Sequence, residues 1–485
     1  MSRVAQTRSA IALMLALGLV SPAAFAADGA EASSDSGKAS ASKESADKSK
    51  AATQEEQPSD STMGEYQMGG KPSFFGSDSS GTGFTQQAAS AGYELSGSGI
   101  TGGRGGSEQG LLMTSPSRGR ALGLTEGIYV FPSAMIGFGY NDNVTAVSSG
   151  KKSSSIVVFS PEVVAEVKNR GDRYTASYVG NYGRYQSSSA DDFDNHAFWL
   201  GADNYFTTRF RTGVGAGYIV RSDARGTTSV NSSILPEPSR WHAPVMRGLA
   251  IYGAKGAPGR LEFEASYMNK RYENNRATTE SYDVDIASFT GRFFYRVMPK
   301  TYALMELRDT ESDYKLSTAL NDNSDRRVYL GVTWEATAKT EGTIKLGKAY
   351  KTFNNSTLKD ASGNAWEIGL RWLPMTYSMV ELETSKSLYD SMGVGSYVTG
   401  TATTLSWDHK WASYINSRLS VGKLAANYQD AGRKDDTKTF SAALYRELGR
   451  HVRAGMSYTY TDRKSTSDGF DFKRNAVMLT FEGVF

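Results

Sequence analysis

The last stretch of the chain, residues 473–485 (KRNAVMLTFEGVF), alternates with a period of two. Phe485, Gly483, Phe481, Leu479 and Val477 form one set; Val484, Glu482, Thr480, Met478 and Ala476 form the other, which carries the polar groups. Such alternation puts one face of a strand in apolar surroundings and the other against water or a polar interior. From Gly127 onward the pattern recurs in eighteen amphipathic stretches. They start near Gly127, Ser155, Asp172, Asp192, Arg209, His242, Gly259, Glu280, Lys300, Asn323, Thr340, Ser362, Thr376, Ser396, Ser413, Lys434, His451 and Phe470. Leu261, Phe263, Ala265 and Tyr267 oppose Glu262, Glu264 and Ser266, and Trp366, Ile368, Leu370 and Trp372 make another clean apolar set. The stretches near Glu280 and His242 are less regular and are expected to hold bulges.

The connections alternate as well. Tight ones, such as Thr207-Thr208, Met298-Pro299 and Pro374-Met375, take turns with longer polar loops, including 141–154, 223–241 and 314–322. Short turns at one rim and long loops at the other are the rule for outer-membrane barrels, where the turns are periplasmic and the loops extracellular. An even strand count brings both barrel ends to the short-turn side. A soluble sandwich has no reason to alternate this way through eighteen strands. The expected fold is all-β: a single transmembrane antiparallel barrel of about eighteen strands over 127–485, behind a disordered segment. The last strand, with Phe481 and the terminal aromatic Phe485, resembles the β-signal read by the barrel-assembly machinery, so that machinery and outer-membrane lipid are expected partners.

Residues 1–26 carry Arg3 and Arg8, an apolar run over 10–20 and the ending Ala24-Phe25-Ala26. That is the order of a secretory signal peptide, and the run is too short to span a bilayer as a helix. The expected destination is the outer membrane of a Gram-negative bacterium, with the N-terminal segment and the C-terminus periplasmic. Residues 27–126 are crowded with Ser, Gly, Ala and charged groups. Such a composition cannot bury enough apolar surface to offset chain entropy, so the segment is expected to be a disordered periplasmic tether or a plug.

Composition then narrows the function. Without Arg3 and Arg8 the 54 Lys+Arg become 52, against 51 Asp+Glu, so the basic excess of a nucleic-acid binder is missing. Four scattered histidines and no cysteine leave no metal cluster and no disulfide, and no cofactor is expected. The Asn/Asp groups at 141–143 and 321–323 match no EF-hand and read as turn formers. The aromatic content, 27 Tyr, 21 Phe and 7 Trp, suits girdles at two membrane interfaces. On the polar faces the candidate lumen-lining residues carry both signs: Arg173, Arg211, Lys345, Arg371 and Arg453 beside Glu262, Glu264, Glu367, Glu381, Glu383 and Glu482, with Tyr302, Tyr329 and Tyr377. A charge-selective pore would be biased toward one sign; this set is mixed, and cross-strand pairing that stiffens the wall is its plainest use. The i, i+2 pairs Glu262/Glu264 and Glu381/Glu383 have a spacing that suits acid–base chemistry, but a polar lumen produces it anyway, and no histidine joins them. An enzyme is not expected.

The first strand reads IYVFPSAMIGFGYNDNVTAV and is followed by SSSIVVFSPEVVAEV. Pro132, Tyr140, Asn141, Asp142, Asn143, Val144, Ser160 and Pro161 make this region resemble the opening of the "beta-barrel porin 2" family of bacterial outer-membrane proteins. Asn141 stands where Asp is commoner in the family. The resemblance implies a barrel through which an exopolysaccharide leaves the cell, with the polysaccharide as cargo and a periplasmic polysaccharide-export protein as partner. The matching residues are implied to shape the first corner of the barrel, not to touch polymer. A general or solute-specific diffusion porin and a structural or adhesive surface barrel remain the alternatives.

Overall fold

The computed structural model describes residues 122–484, apart from 126, 170, 229, 255, 335–338 and 392–393. The expected signal peptide, nearly all of the low-complexity segment and Phe485 lie outside the described residues. A four-residue strand, β1 (Leu122–Thr125), precedes β2 (Ile128–Asn141), β3 (Ser154–Asn169), β4 (Asp172–Tyr185), β5 (Phe193–Tyr205) and β6 (Phe210–Asp223). There follow β7 (Ser239–Tyr252), β8 (Gly259–Tyr272), β9 (Val284–Met298), β10 (Thr301–Tyr314), β11 (Asn323–Trp334), β12 (Thr340–Phe353) and β13 (Ala361–Met375). The chain ends with β14 (Ser378–Asp390), β15 (Tyr397–Ala412), β16 (Ile415–Tyr428), β17 (Lys434–Glu447), β18 (Val452–Ser465) and β19 (Phe472–Val484).

From β2 onward each strand pairs antiparallel with the next, and β19 pairs with β2, from Ala476 opposite Asn141 to Val484 opposite Ser133. Eighteen strands therefore close into a barrel, with no open edge between the first and the last. The alternation read from sequence locates all eighteen, to within a few residues at their starts. It does not reveal β1, which lies inside the stretch expected to be disordered. β1 folds back on β2, Leu122 opposite Val130 and Thr125 opposite Ile128, in the slot beside β2 left below the end of β19. Gly127 makes that return turn at φ +82°, which only glycine adopts without strain.

Two local expectations are corrected. Near Glu280 there is no bulged strand: residues 276–279 form one helical turn, 280–282 a 3₁₀ turn, and β9 begins at Val284. Near His242 no residue is inserted, because Trp241 opposite Tyr272 and Val245 opposite Met268 belong to one register. The ladder only pauses at Pro244, which has no N–H to give. Pro161 causes the same pause between β3 and β4.

The two faces are inverted relative to a soluble protein. Large apolar groups point outward and are open to the surroundings: Leu330 is 65% exposed, Phe263 58% and Leu346 58%. Charged and hydroxyl side chains on the alternate positions point into the barrel and are buried, among them Glu264, Arg292, Glu306 and Lys345. Apolar exposure continuous around the wall is unaffordable in water and is what a hydrocarbon environment stabilises.

Candidate functional site: the barrel lumen

Strand alternation fixes which residues enter the lumen, and neighbouring strands bring opposite charges into register. On β8, Arg260 Nε lies 3.1 Å from Glu262. Arg292 on β9 reaches Glu264 at 3.0 Å and Glu306 of β10 at 3.0 Å. Arg247 on β7 joins from the other side, 2.8 Å from Glu264. Lys345 on β12 lies 3.0 Å from Glu306 and 2.5 Å from Glu367 of β13. Arg308 on β10 donates to Glu367 at 2.9 Å, and the Tyr329 hydroxyl also points at Glu367, 3.5 Å away. This wall therefore alternates sign along a continuous network, each charge desolvated but answered.

Several of these links skip strands, which exposes the shape of the cross-section. Asp390 at the end of β14 accepts from Ser312 of β10 at 3.1 Å, from Asn323 of β11 at 3.0 Å and from Lys351 of β12 at 2.6 Å. At about 4.8 Å per strand, β10 and β14 are roughly 19 Å apart along the wall. Two short side chains bridge that arc, so the sheet curls tightly over β10–β14 at the long-loop end.

A second group sits nearer the short-turn rim and, apart from the fully buried Asp408, keeps more water. Arg371 binds Glu341 at 2.5 Å and Glu381 at 2.7 Å, and Arg418 approaches Glu381 and Asp408 at 3.7 and 3.5 Å. Arg371 and Arg418 stay 25% and 35% exposed, and Glu383, on the same face of β14, is exposed outright. Arg371, Glu383 and Arg418 thus place partly or fully exposed charges on β13–β16, next to the dry wall of β8–β12.

The long-loop mouth is narrowed by one connection, residues 224–238. Its Val230 and Leu235 are buried in one cluster with inward-facing Ile219 and Trp241 and with Tyr282 of the turn over 280–282. Arg225 pins it, donating to Asp191 at 2.8 Å and to the carbonyl oxygens of Leu235 and Pro236 at 3.1 and 3.0 Å. The loop reaches toward the β19–β2 seam, five strands round the wall from β6: a Cβ on Gly226 would meet Ala146 of the β2–β3 connection at 2.5 Å and Phe472 of β19 at 3.1 Å. Gly226 also sits at φ +79°, so both its conformation and its close approach require glycine. Sequence reasoning found this loop by its length but had no signal for its fold into the mouth.

Most sequence candidates fall on the inner wall. Arg173 is buried, 3.2 Å from Glu166 and 3.3 Å from Asp203. Arg211 is half-buried on the inward face of β6, Arg453 pairs with Glu482, and Tyr302 packs with Phe294 and Leu304. Tyr377 is the exception: it sits in the turn between β13 and β14, 44% exposed, edge-on to His409 at 5.4 Å. With Trp407 and Trp411 it forms an aromatic cluster at the short-turn rim, on the outward side. Arg247, Arg292, Glu306 and Arg308 were missed, although the inward periodicity of β7, β9 and β10 carried them.

The first-corner residues hold the seam. Asn475 of β19 donates its backbone N–H and its Nδ2 to Asp142, each at 2.7 Å, and Asn143 Nδ2 donates to Lys473 O at 2.9 Å. Asn141 Oδ1 accepts from Asn143 N at 2.9 Å, which shapes the corner. Tyr140 faces outward, and Ser160 donates to Asn181 at 3.1 Å. Pro132 and Pro161 take outward positions on β2 and β3. Phe481 faces outward on β19, 40% exposed.

A closed barrel with an apolar outer belt and a charged, partly wet interior defines a membrane channel of the outer-membrane type. The chain belongs to the family described as "Putative beta-barrel porin 2", whose model matches residues 117–483. It is similar in structure to OccK2 (OpdF) of Pseudomonas aeruginosa, with a TM-score of 0.45 and 10% identity over 73% of this chain and 98% of that one. OpdK of the same organism gives 0.44 and 10% over 75% and 100%, and OccAB4 of Acinetobacter baumannii 0.43 and 10% over 74% and 98%. No curated protein matches the sequence.

Proposed function

We propose that this outer-membrane porin is a passive diffusion channel for small hydrophilic solutes, with its long-loop rim toward the cell exterior and both barrel ends periplasmic. The observation that carries this reading is the loop over 224–238. It is anchored inside the mouth by buried Val230 and Leu235 and reaches to Ala146 and Phe472. A loop folded into the mouth narrows it, and a narrowed mouth suits small solutes better than a polysaccharide chain, which favours diffusion over export. The inner wall supports the same mechanism, since its charges largely pair with each other and the water-exposed ones among them bind passing solutes weakly. Nothing in such a path calls for covalent chemistry, and we assign no enzymatic role. Insertion through the barrel-assembly machinery, guided by the last strand, belongs to the same proposal.

The test is reconstitution of the full chain in planar bilayers and liposomes, beside a deletion strain. The expected results are steady ion conductance, size-limited uptake of small sugars and amino acids, and unchanged extracellular polysaccharide on deletion. A deletion that abolishes extracellular polymer and is complemented by the intact gene, with no solute conductance from the purified barrel, would replace diffusion with export.

A further inference from the structure

The outer surface near the long-loop rim is not uniform in charge. Between β4 and β11 its basic groups have acidic partners: Arg184 with Asp194 at 2.6 Å, Arg271 and Lys315 with Asp285 at 2.7 Å each, and Arg326 with Asp309 at 2.7 Å. On β14–β19 the balance changes. The strand register sets two adjacent outward rows side by side. One runs Thr384, Thr403, Lys423, Lys438, Asp462, Lys473, and the other Lys386, Thr401, Ala425, Asp436, Lys464. Five lysines meet two aspartates there, and among the described residues only Lys423 of the five makes a close ion pair, with Asp436 at 2.9 Å. Lys423 and Lys438 stand directly opposite each other on paired strands. Like charges in that position repel and destabilise a sheet unless an anion lies between them.

The level of this patch identifies the anion. Phe440 and Tyr460 pair one outward position below Lys438 and Asp462, and their rings mark the upper edge of the apolar belt. A cation just above that edge lies among lipid headgroups, and Thr401 adds a hydroxyl on one flank, beside Thr384 and Thr403, whose hydroxyls bond each other at 2.9 Å. We propose that the β14–β19 face, centred on Lys423 and Lys438, binds the phosphate groups of a phosphorylated glycolipid in the outer leaflet. The inference rests on the extracellular assignment of the long-loop rim made above.

The experiment uses full-length protein purified in non-ionic detergent, with bisphosphorylated lipid A and its dephosphorylated form as probes. Wild type should retain the bisphosphorylated lipid through gel filtration and release it when dephosphorylated. Lys423→Gln/Lys438→Gln should weaken retention on the order of tenfold, while Arg326→Gln, on the charge-balanced side, should leave it unchanged. Equal retention by both lysine forms, or equal binding of both lipids, overturns the patch. A lysine variant that changes oligomer size but not lipid retention overturns it in favour of a subunit contact. Conductance recorded on the same preparations, and labelling of Asp468→Cys by a membrane-impermeant maleimide on intact cells, test the channel and its orientation separately.

Discussion

Arg308 on β10 donates to Glu367 on β13 at 2.9 Å, although the two strands are not neighbours. Lys345, from β12 between them, reaches the same carboxylate at 2.5 Å. The pair is a measure of how sharply the barrel wall turns, and it makes that turn depend on charges held away from water.

Removing one partner leaves the other charges buried without an answer. Glu367→Ala is expected to destabilise the folded barrel by about 3–5 kcal/mol, and Arg308→Met combined with Glu367→Leu to recover much of that loss. Urea titration of folded and unfolded electrophoretic forms in lipid vesicles measures both. A double variant no better than the single one would mean that the network acts through packing rather than charge.

The outer belt predicts a different sensitivity. Leu330 projects from the wall at 65% exposure, whereas Leu320, 50% exposed, belongs to the loop between β10 and β11. Leu330→Arg should cost about 2–4 kcal/mol in vesicles if the residue meets hydrocarbon near the midplane, falling toward zero near an interface. Leu320→Arg should stay within roughly 0.5 kcal/mol. Similar costs at the two positions would contradict the placement of the belt.

Closure of the barrel is testable because the chain has no cysteine to interfere. Ile136 and Phe481 are register partners across the seam of β2 and β19, both on the outward face. Ile136→Cys/Phe481→Cys should oxidise readily and migrate as a looped chain after denaturation, provided the local geometry admits a bridge. Asp142→Ala removes the acceptor of both Asn475 donors, at a cost of about 1–3 kcal/mol, and should speed amide exchange at Asn475. An unaltered exchange rate would show that the corner does not secure the seam.

Selectivity should follow water access rather than charge count. Glu383 is an exposed lumen charge, whereas Lys345 is buried in its network. Reversing the charge at Glu383 changes two units, worth roughly 1 kcal/mol about 7 Å from a passing ion in water. Glu383→Lys should therefore disfavour a cation and favour an anion by about fivefold each, lowering the cation-to-anion permeability ratio on the order of 25-fold. Lys345→Gln should change stability more than it changes reversal potential. A larger selectivity change at Lys345 would move the solute path to the β8–β12 wall.

The eighteen strands, their faces and the unequal rims were legible in the chain because period-two alternation is a local property, set by the strand's own geometry. The candidates Glu262, Glu264, Arg371 and Glu381 followed from that alternation alone. Three things were not local. β1 is too short to show a period and exists because β19 leaves part of β2 unpaired. Tyr377 follows inward parity on paper, but the chain turns there and delivers the ring to the rim. The partners of Glu367 and Asp390, and the burial of Val230 and Leu235 in the mouth, depend on the curvature of the closed sheet. No sequence spacing encodes that curvature, because it arises only when the first and last strands have met.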